Sequence, residues 1–216
     1  MYPDLHNFCA TDLSAFYFDV RKDAIYCDRP DSLRRRAART VLDHLHRCLT
    51  TWLAPVLCFT AEEAWCARFG EDSSVHLELF PTIPAEWRDD ALAAKWETIR
   101  EVRRRLTTAI EAQRAAGLIK SSLQAGLAFA PEGDLAGFLS SDQWAEIAIV
   151  SSVVVSSVAL ASDKAEPAVV VTVAAGEKCA RCWKVLEEVG DNACHPTLCL
   201  RCVDAVEFRL VCQEVG

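Results

Sequence analysis

No stretch of this 216-residue chain approaches the roughly eighteen consecutive apolar residues of a membrane-spanning helix. The opening Met1-Tyr2-Pro3-Asp4 lacks the basic and apolar regions of a secretory signal. These two absences predict a cytoplasmic protein. Met1 is the only methionine, which excludes an internal start. There is no internal repeat and no low-complexity tract. The catalytic signatures are missing too: no glycine-rich phosphate loop, no G-x-S-x-G, no H-E-x-x-H and no Cys/His pair in a recognisable catalytic setting. No catalytic residue is assigned.

Positive charge is in short supply, with 23 Lys and Arg against 31 Asp and Glu for a formal net charge of −8. Phosphate neutralisation dominates nucleic-acid affinity, so any cationic surface must be local. The basic residues do cluster, in Arg34-Arg35-Arg36 with Arg39, and in Arg103-Arg104-Arg105. Hydrophobic residues make up 51% and charged ones 25% of the chain, the balance of an ordinary globular protein.

Cysteine, by contrast, is plentiful, with eleven residues. A chain this large and rich in core residues does not need disulfide staples. Cys9, Cys27, Cys48, Cys58 and Cys66 lie among apolar residues and are expected to be buried free thiols. Cys179-Ala-Arg-Cys182 and Cys199-Leu-Arg-Cys202 form two C-x2-C pairs, the spacing of knuckles whose sulfurs converge on one tetrahedral Zn2+. Four thiolates leave no open position for water, so the zinc is structural. Cys194 and His195 lie between the pairs and would enter only by displacing a thiolate. Arg181 and Arg201 each precede the second cysteine of a knuckle, and Lys178 and Lys184 flank the first. They either compensate the charge of the metal site or form a cationic tip for phosphates, with Trp183 as a stacking face for an unpaired base.

Apolar spacing predicts helices over residues 7–26, 32–53 and 91–116, the last stopped by Gly117. A shorter helix ending near Phe69 is expected to open on a capping box of Thr60 and Glu63. On the helix over 32–53, Ala38, Val41, Leu45, Leu49 and Trp52 share one face. Arg36, Arg39 and Arg47, interrupted by Asp43, form a strip on the opposite face that suits either solvent or an RNA backbone. Beyond Leu123, short valine-rich runs predict strands over 127–130, 147–158 and 168–174, with a helix over 135–146. The tryptophans read mostly as core, with Trp183 the exception. The expected fold is α+β: an antiparallel helical bundle over 1–118, a small sheet with a helix over 119–175, and a Zn(Cys)4 module over 176–216.

Phe16-Tyr17-Phe18-Asp19-Val20-Arg21-Lys22-Asp23, Leu53-Ala-Pro-Val-Leu57 and Phe59-Thr-Ala-Glu-Glu-Ala-Trp65 resemble the helical anticodon-binding domain of class I aminoacyl-tRNA synthetases. Ser74-Val-His-Leu77 and Lys178-Cys-Ala-Arg-Cys-Trp183 are similar to the bacterial isoleucyl-tRNA synthetase family, which ends in such a zinc module. The resemblance implies a C-terminal tRNA-binding region that holds the anticodon stem-loop of isoleucine tRNA, acting as a monomer with the catalytic body in cis. Candidate tRNA contacts are Arg36, Arg39, Arg47, Lys178, Arg181, Trp183, Lys184 and Arg201, and the metal ligands are Cys179, Cys182, Cys199 and Cys202. The ATP-handling signatures of the HIGH and KMSKS types are absent, so ATP and Mg2+ belong to the intact enzyme and this chain alone is expected to be inactive. Certain DNA glycosylases end in the same kind of zinc finger. A zinc-stabilised DNA-lesion binder and a protein-interaction scaffold are therefore the alternatives.

Overall fold

In the computed structural model, residues 2–131, 135, 137–156 and 169–214 are described, the side chains of 2 and 209–214 excepted. The chain forms two compact units, one of residues 1–30 with 91–216, the other of residues 31–90. It is helix-rich with a small sheet and a C-terminal four-cysteine cluster, as the sequence predicts. Among the described residues no helix is long and apolar enough to cross a membrane.

The first unit opens with α1 (Tyr2–Asn7), runs on as a π-helical segment (Phe8–Phe18) and returns to α-helical winding in α2 (Asp19–Cys27). The predicted helix over 7–26 therefore exists, but eleven of its residues follow a wider spiral with i→i+5 bonds. The long helix α5 (Asp90–Ala115) buries Ile99, Val102, Leu106 and Ile110 at helical spacing. Leu92 is exposed because α5 has only just begun there. Gly117 ends the helix at φ +77°, a left-handed conformation that favours glycine.

Next come β1 (Ala125–Phe129), α6 (Ser141–Ala148), β2 (Ser152–Val155) and β3 (Val170–Val173). The sheet order is β2-β1-β3, with β1 parallel to β2 and antiparallel to β3. Parallel pairing requires a crossover, and α6 supplies it. A capping box of Ser140 and Gln143 starts α6, so this helix begins and ends later than the predicted 135–146. Ile147 and Ala148, expected in a strand, complete the helix instead. Positions 157–158 and 168 of the predicted strands lie outside the described residues.

The core of this unit joins Val20 of α2 to the buried face of α5, to Leu127 and Phe129 of β1, and to Trp144 of α6. Trp144 has no exposed surface and stands edge-on to Phe129, their ring centres 5.2 Å apart. Polar ties brace the same assembly. Arg21 donates to Glu146 at 2.8 Å, Arg103 donates to the carbonyl of Ile147 at 2.8 Å, and Arg100 pairs with Asp12.

The second unit holds α3 (Leu33–Leu53) and α4 (Cys58–Phe69). Ser32 caps α3 by accepting from the amide of Arg35. Ala38, Cys48, Thr50 and Thr51 are its buried residues, whereas Val41 and Trp52 of the predicted apolar face are exposed. Thr50 and Thr51 can be buried because their hydroxyls donate to carbonyls one turn back, at His46 and Arg47. The predicted capping box at Thr60 does not form. The amide of Ala61 already donates to the carbonyl of Leu57, so the helix starts earlier and Thr60 lies inside it. Glu62 accepts from Ser74 Oγ and the Val75 amide, closing Val75 over Ala61 and Trp65.

Two expectations of burial need correction. Trp65 and Trp144 are buried, but Trp52 and Trp87 are exposed along with Trp183. Of the five scattered cysteines, Cys27 and Cys48 are buried, Cys9 and Cys66 are half-buried and Cys58 is exposed.

Candidate functional site

The zinc-type module grows from a two-stranded hairpin, β4 (Glu177–Lys178) and β5 (Val185–Leu186), and from α7 (Leu200–Glu214). Gly176 enters it at φ +101°, where an added Cβ would lie 2.2 Å from the Leu186 carbonyl carbon and oxygen, so only glycine fits. Within the first knuckle the amide of Trp183 donates to the Cys179 carbonyl and the amide of Cys179 to the Lys184 carbonyl. The second knuckle runs into the first turn of α7, where Val203 donates back to Cys199. The Ala180 amide bonds the Thr197 carbonyl and stitches the two knuckles together.

Sγ atoms of Cys179, Cys182, Cys199 and Cys202 all lie within 4.8 Å of one another, and all four residues are buried. Thiols held this close cannot all ionise without a cation among them. Hydrogen bonds from Cys199 and Cys202 hold the Cys182 thiol far below its ordinary value. Cys199 is pushed up to about 11 and Cys202 is also raised, each first by its hydrogen bond with Cys182. Four sulfurs held this close are the donor set that a tetrahedral Zn2+ would complete, binding as thiolates once their protons leave. The cluster fits one structural zinc, held by these four cysteines with no coordination position open to substrate. The amide of Cys199 donates to Cys179 Sγ at 3.4 Å, an outer contact that orients the ligand.

Cys194 is exposed, and His195 stands 3.8 Å from Glu207, so neither belongs to the sulfur cluster. A fifth thiol, Cys27 at the end of α2, packs against the four. Burial and then Asp23 raise its pKa while Arg201 and Arg181 pull it down. It remains a neutral thiol that donates to the Arg181 carbonyl at 3.9 Å.

The two knuckle arginines turn inward. Arg181 donates to the carbonyls of Cys27 (2.5 Å) and Tyr26 (2.9 Å), two acceptors that the end of α2 leaves without helical partners, and lies 3.5 Å from Cys202 Sγ. Arg201 grips Asp23 through both terminal nitrogens, at 2.5 and 2.8 Å, and reaches Asp28 at 3.0 Å. Burial works against its charge, but the bonds and charge of Asp23 and Cys182 outweigh it and hold the guanidinium above its ordinary pKa. Sequence reading missed Asp23 and Asp28 as partners. More than 170 residues separate them from Arg201, and no local pattern links them.

Trp183 is 60% exposed and at φ +67°, with the Lys178 ammonium 5.7 Å from its ring centre. Trp183 and Lys184 border a cleft of about 480 Å3 whose other walls include Lys22, Tyr26, Ile149 and Glu146.

In the second unit, Arg36 and Arg39 are exposed and make no ion pair with a described residue. Arg47 lies 3.9 Å from Asp43 and over the ring of Phe69 at 4.7 Å. Asp43, which interrupts the strip in sequence, accepts two bonds from Arg68, so the surface around it is less acidic than α3 alone suggests.

Residues 1–129 match the anticodon-binding domain of tRNA ligase, and residues 176–205 match the zinc finger found in FPG and IleRS. The chain is 57% identical over 206 residues to an isoleucine–tRNA ligase of Gluconobacter oxydans, which covers 95% of this chain and 21% of that protein. Isoleucine–tRNA ligases of Agrobacterium fabrum (45% over 212 residues, 95% of this chain and 22% of theirs) and Rhodopseudomonas palustris (46% over 214, 94% and 21%) are similar to the same extent of sequence. The chain thus spans about a fifth of the length of the relatives it matches. With an anticodon-binding match over more than half its length and a four-cysteine cluster inside the zinc-finger match, this chain belongs to the tRNA-ligase anticodon-binding family.

Proposed function

We propose that this chain is the tRNA-holding part of an isoleucine–tRNA ligase, and that it grips the anticodon stem-loop of isoleucine tRNA. The observation that carries this reading is the exposed indole of Trp183 on the turn of the first cysteine knuckle, with Lys178 and Lys184 beside it. An aromatic face among ammonium groups is what an unstacked base and its phosphates require. Arg36, Arg39 and Arg47 are proposed to hold backbone phosphates in addition. In this reading isoleucine is ligated, with ATP and Mg2+, by a catalytic body that a longer polypeptide supplies in cis. The chain contributes recognition, as a cytoplasmic monomer divided at about residues 118 and 175 as the sequence suggests.

The match over residues 1–129 favours this reading over a DNA-lesion binder or a scaffold, because an anticodon-binding domain has no part in either. Trp183→Ala is expected to weaken stem-loop binding by about 1 to 3 kcal/mol, the cost of losing one base stack. Fluorescence anisotropy with a labelled anticodon stem-loop measures it. Unchanged affinity would remove Trp183 from the interface.

A further inference from the structure

The two arginines of the zinc knuckles are the most obvious phosphate contacts in the sequence, yet the guanidinium of Arg201 is already committed. Nη1 serves Asp23 and Asp28, and Nη2 serves the second oxygen of Asp23. Both carboxylates bind this cation, and a Zn(Cys)4 centre beside them would carry about two net negative charges. A phosphate arriving there would have to displace these carboxylates from the guanidinium. The same carboxylates do something else: they hold the first turn of α7, and with it Cys199 and Cys202, against the end of α2. A second tie runs parallel, from Arg29 to Asp204 at 3.0 Å, with the Arg29 guanidinium over the Phe208 ring. Arg181 makes a third, to the last carbonyls of α2.

We infer that Arg201 is a positioning residue, and that its fork on Asp23 and Asp28 sets the rotation of the zinc module on α2 so that Trp183 and Lys178 face solvent, with the half-buried Lys184 beside them. The zinc holds the four sulfurs together but does not decide which side of the module points outward. The Arg201 fork constrains it, because a planar two-point pair admits one orientation where a point charge admits many, and the two-point bond of Arg181 to the Tyr26 and Cys27 carbonyls acts in parallel. This inference rests on the tRNA reading of the same edge and moves Arg201 from RNA contact to support.

The roles differ in sign. If Arg201 touches phosphate, removing the nearby acid Asp23 frees a cation and strengthens RNA binding. If Arg201 positions the module, Asp23→Asn weakens binding although it makes the surface less negative. The test measures affinity for an anticodon stem-loop of isoleucine tRNA across a series of salt concentrations. It compares the zinc-loaded chain, Asp23→Asn, Arg201→Gln and the double variant, with affinity taken per zinc-loaded chain. Each single variant is expected to lose about tenfold, the double no more than either, and the salt slope to stay that of the unaltered chain. Asp23→Glu, which keeps a carboxylate for the fork, is expected to recover most of the loss. Equal or tighter binding by Asp23→Asn, or a fall in slope of about 0.7 to 0.9 in Arg201→Gln, overturns the positioning role. If the unaltered chain binds no stem-loop, the tRNA reading fails and the positioning role falls with it.

Discussion

Removing zinc, by chelation or by Cys202→Ala, is expected to unfold residues 176–205 while leaving the rest of the first unit folded. Among the described residues the apolar groups packed on the four cysteines are Cys27, Leu186, Val189 and Leu198, and even with the buried Val203 and Ala205 they supply too little buried surface to order thirty residues against their chain entropy. Metal binding supplies the deficit, since a structural Zn2+ contributes on the order of 10 to 16 kcal/mol in small zinc-finger peptides. The main core, from Val20 through α5 and the sheet to Trp144, draws no residue from the module, so it should survive. Amide hydrogen exchange separates the two. The amides of Cys179, Ala180, Trp183 and Val203 are expected to lose protection without metal, and those of α5 and β1 to keep it. A module that stays protected without zinc would contradict the structural role of the metal.

Trp144→Ala is expected to destabilise the first unit by about 3 to 5 kcal/mol, a large part of the 5 to 15 kcal/mol that a domain ordinarily possesses. Its indole is wholly buried, fills the space between α6 and β1, and meets Phe129 edge-on. Phe129 stands on β1, which is pinned by pairing with β2 and β3, and α6 is held by the Arg103 bond to the Ile147 carbonyl, so the cavity cannot collapse freely. The Trp144 Nε1 has no hydrogen-bond partner among the described residues. Trp144→Phe is therefore expected to cost less than the volume lost implies, since it also removes a buried unpaired donor. Denaturant unfolding of the three chains measures both effects; equal stability of the alanine variant would place the core elsewhere.

The features legible in the sequence were those with a short-range cause. The C-x2-C spacing identified the metal ligands because each knuckle closes within four residues, and α5 was visible because Ile99, Val102, Leu106 and Ile110 recur at helical spacing over 26 residues. The start of α4 was misplaced because Thr60 and Glu63 fit a capping pattern locally, whereas the Leu57 carbonyl opens the helix earlier and Glu62 is drawn to Ser74 and Val75. The exposed face of α3 was mistaken because periodicity ranks Val41 and Trp52 as apolar without knowing that Thr50 and Thr51 can be buried by bonding back to their own helix. At the candidate site, Trp183 was singled out correctly as an exposed aromatic. The arginines beside it had two readings in sequence, and the acids that occupy Arg201 come from the other end of the chain, beyond the reach of any local pattern.

That this chain recognises one tRNA is tested most directly by titrating it, zinc-loaded and at moderate salt, with the anticodon stem-loop of isoleucine tRNA and with that of an unrelated tRNA. Tighter binding of the isoleucine stem-loop, with a salt slope reporting a few phosphate contacts, is the expected result. Equal binding of the two, or binding of neither, would contradict it.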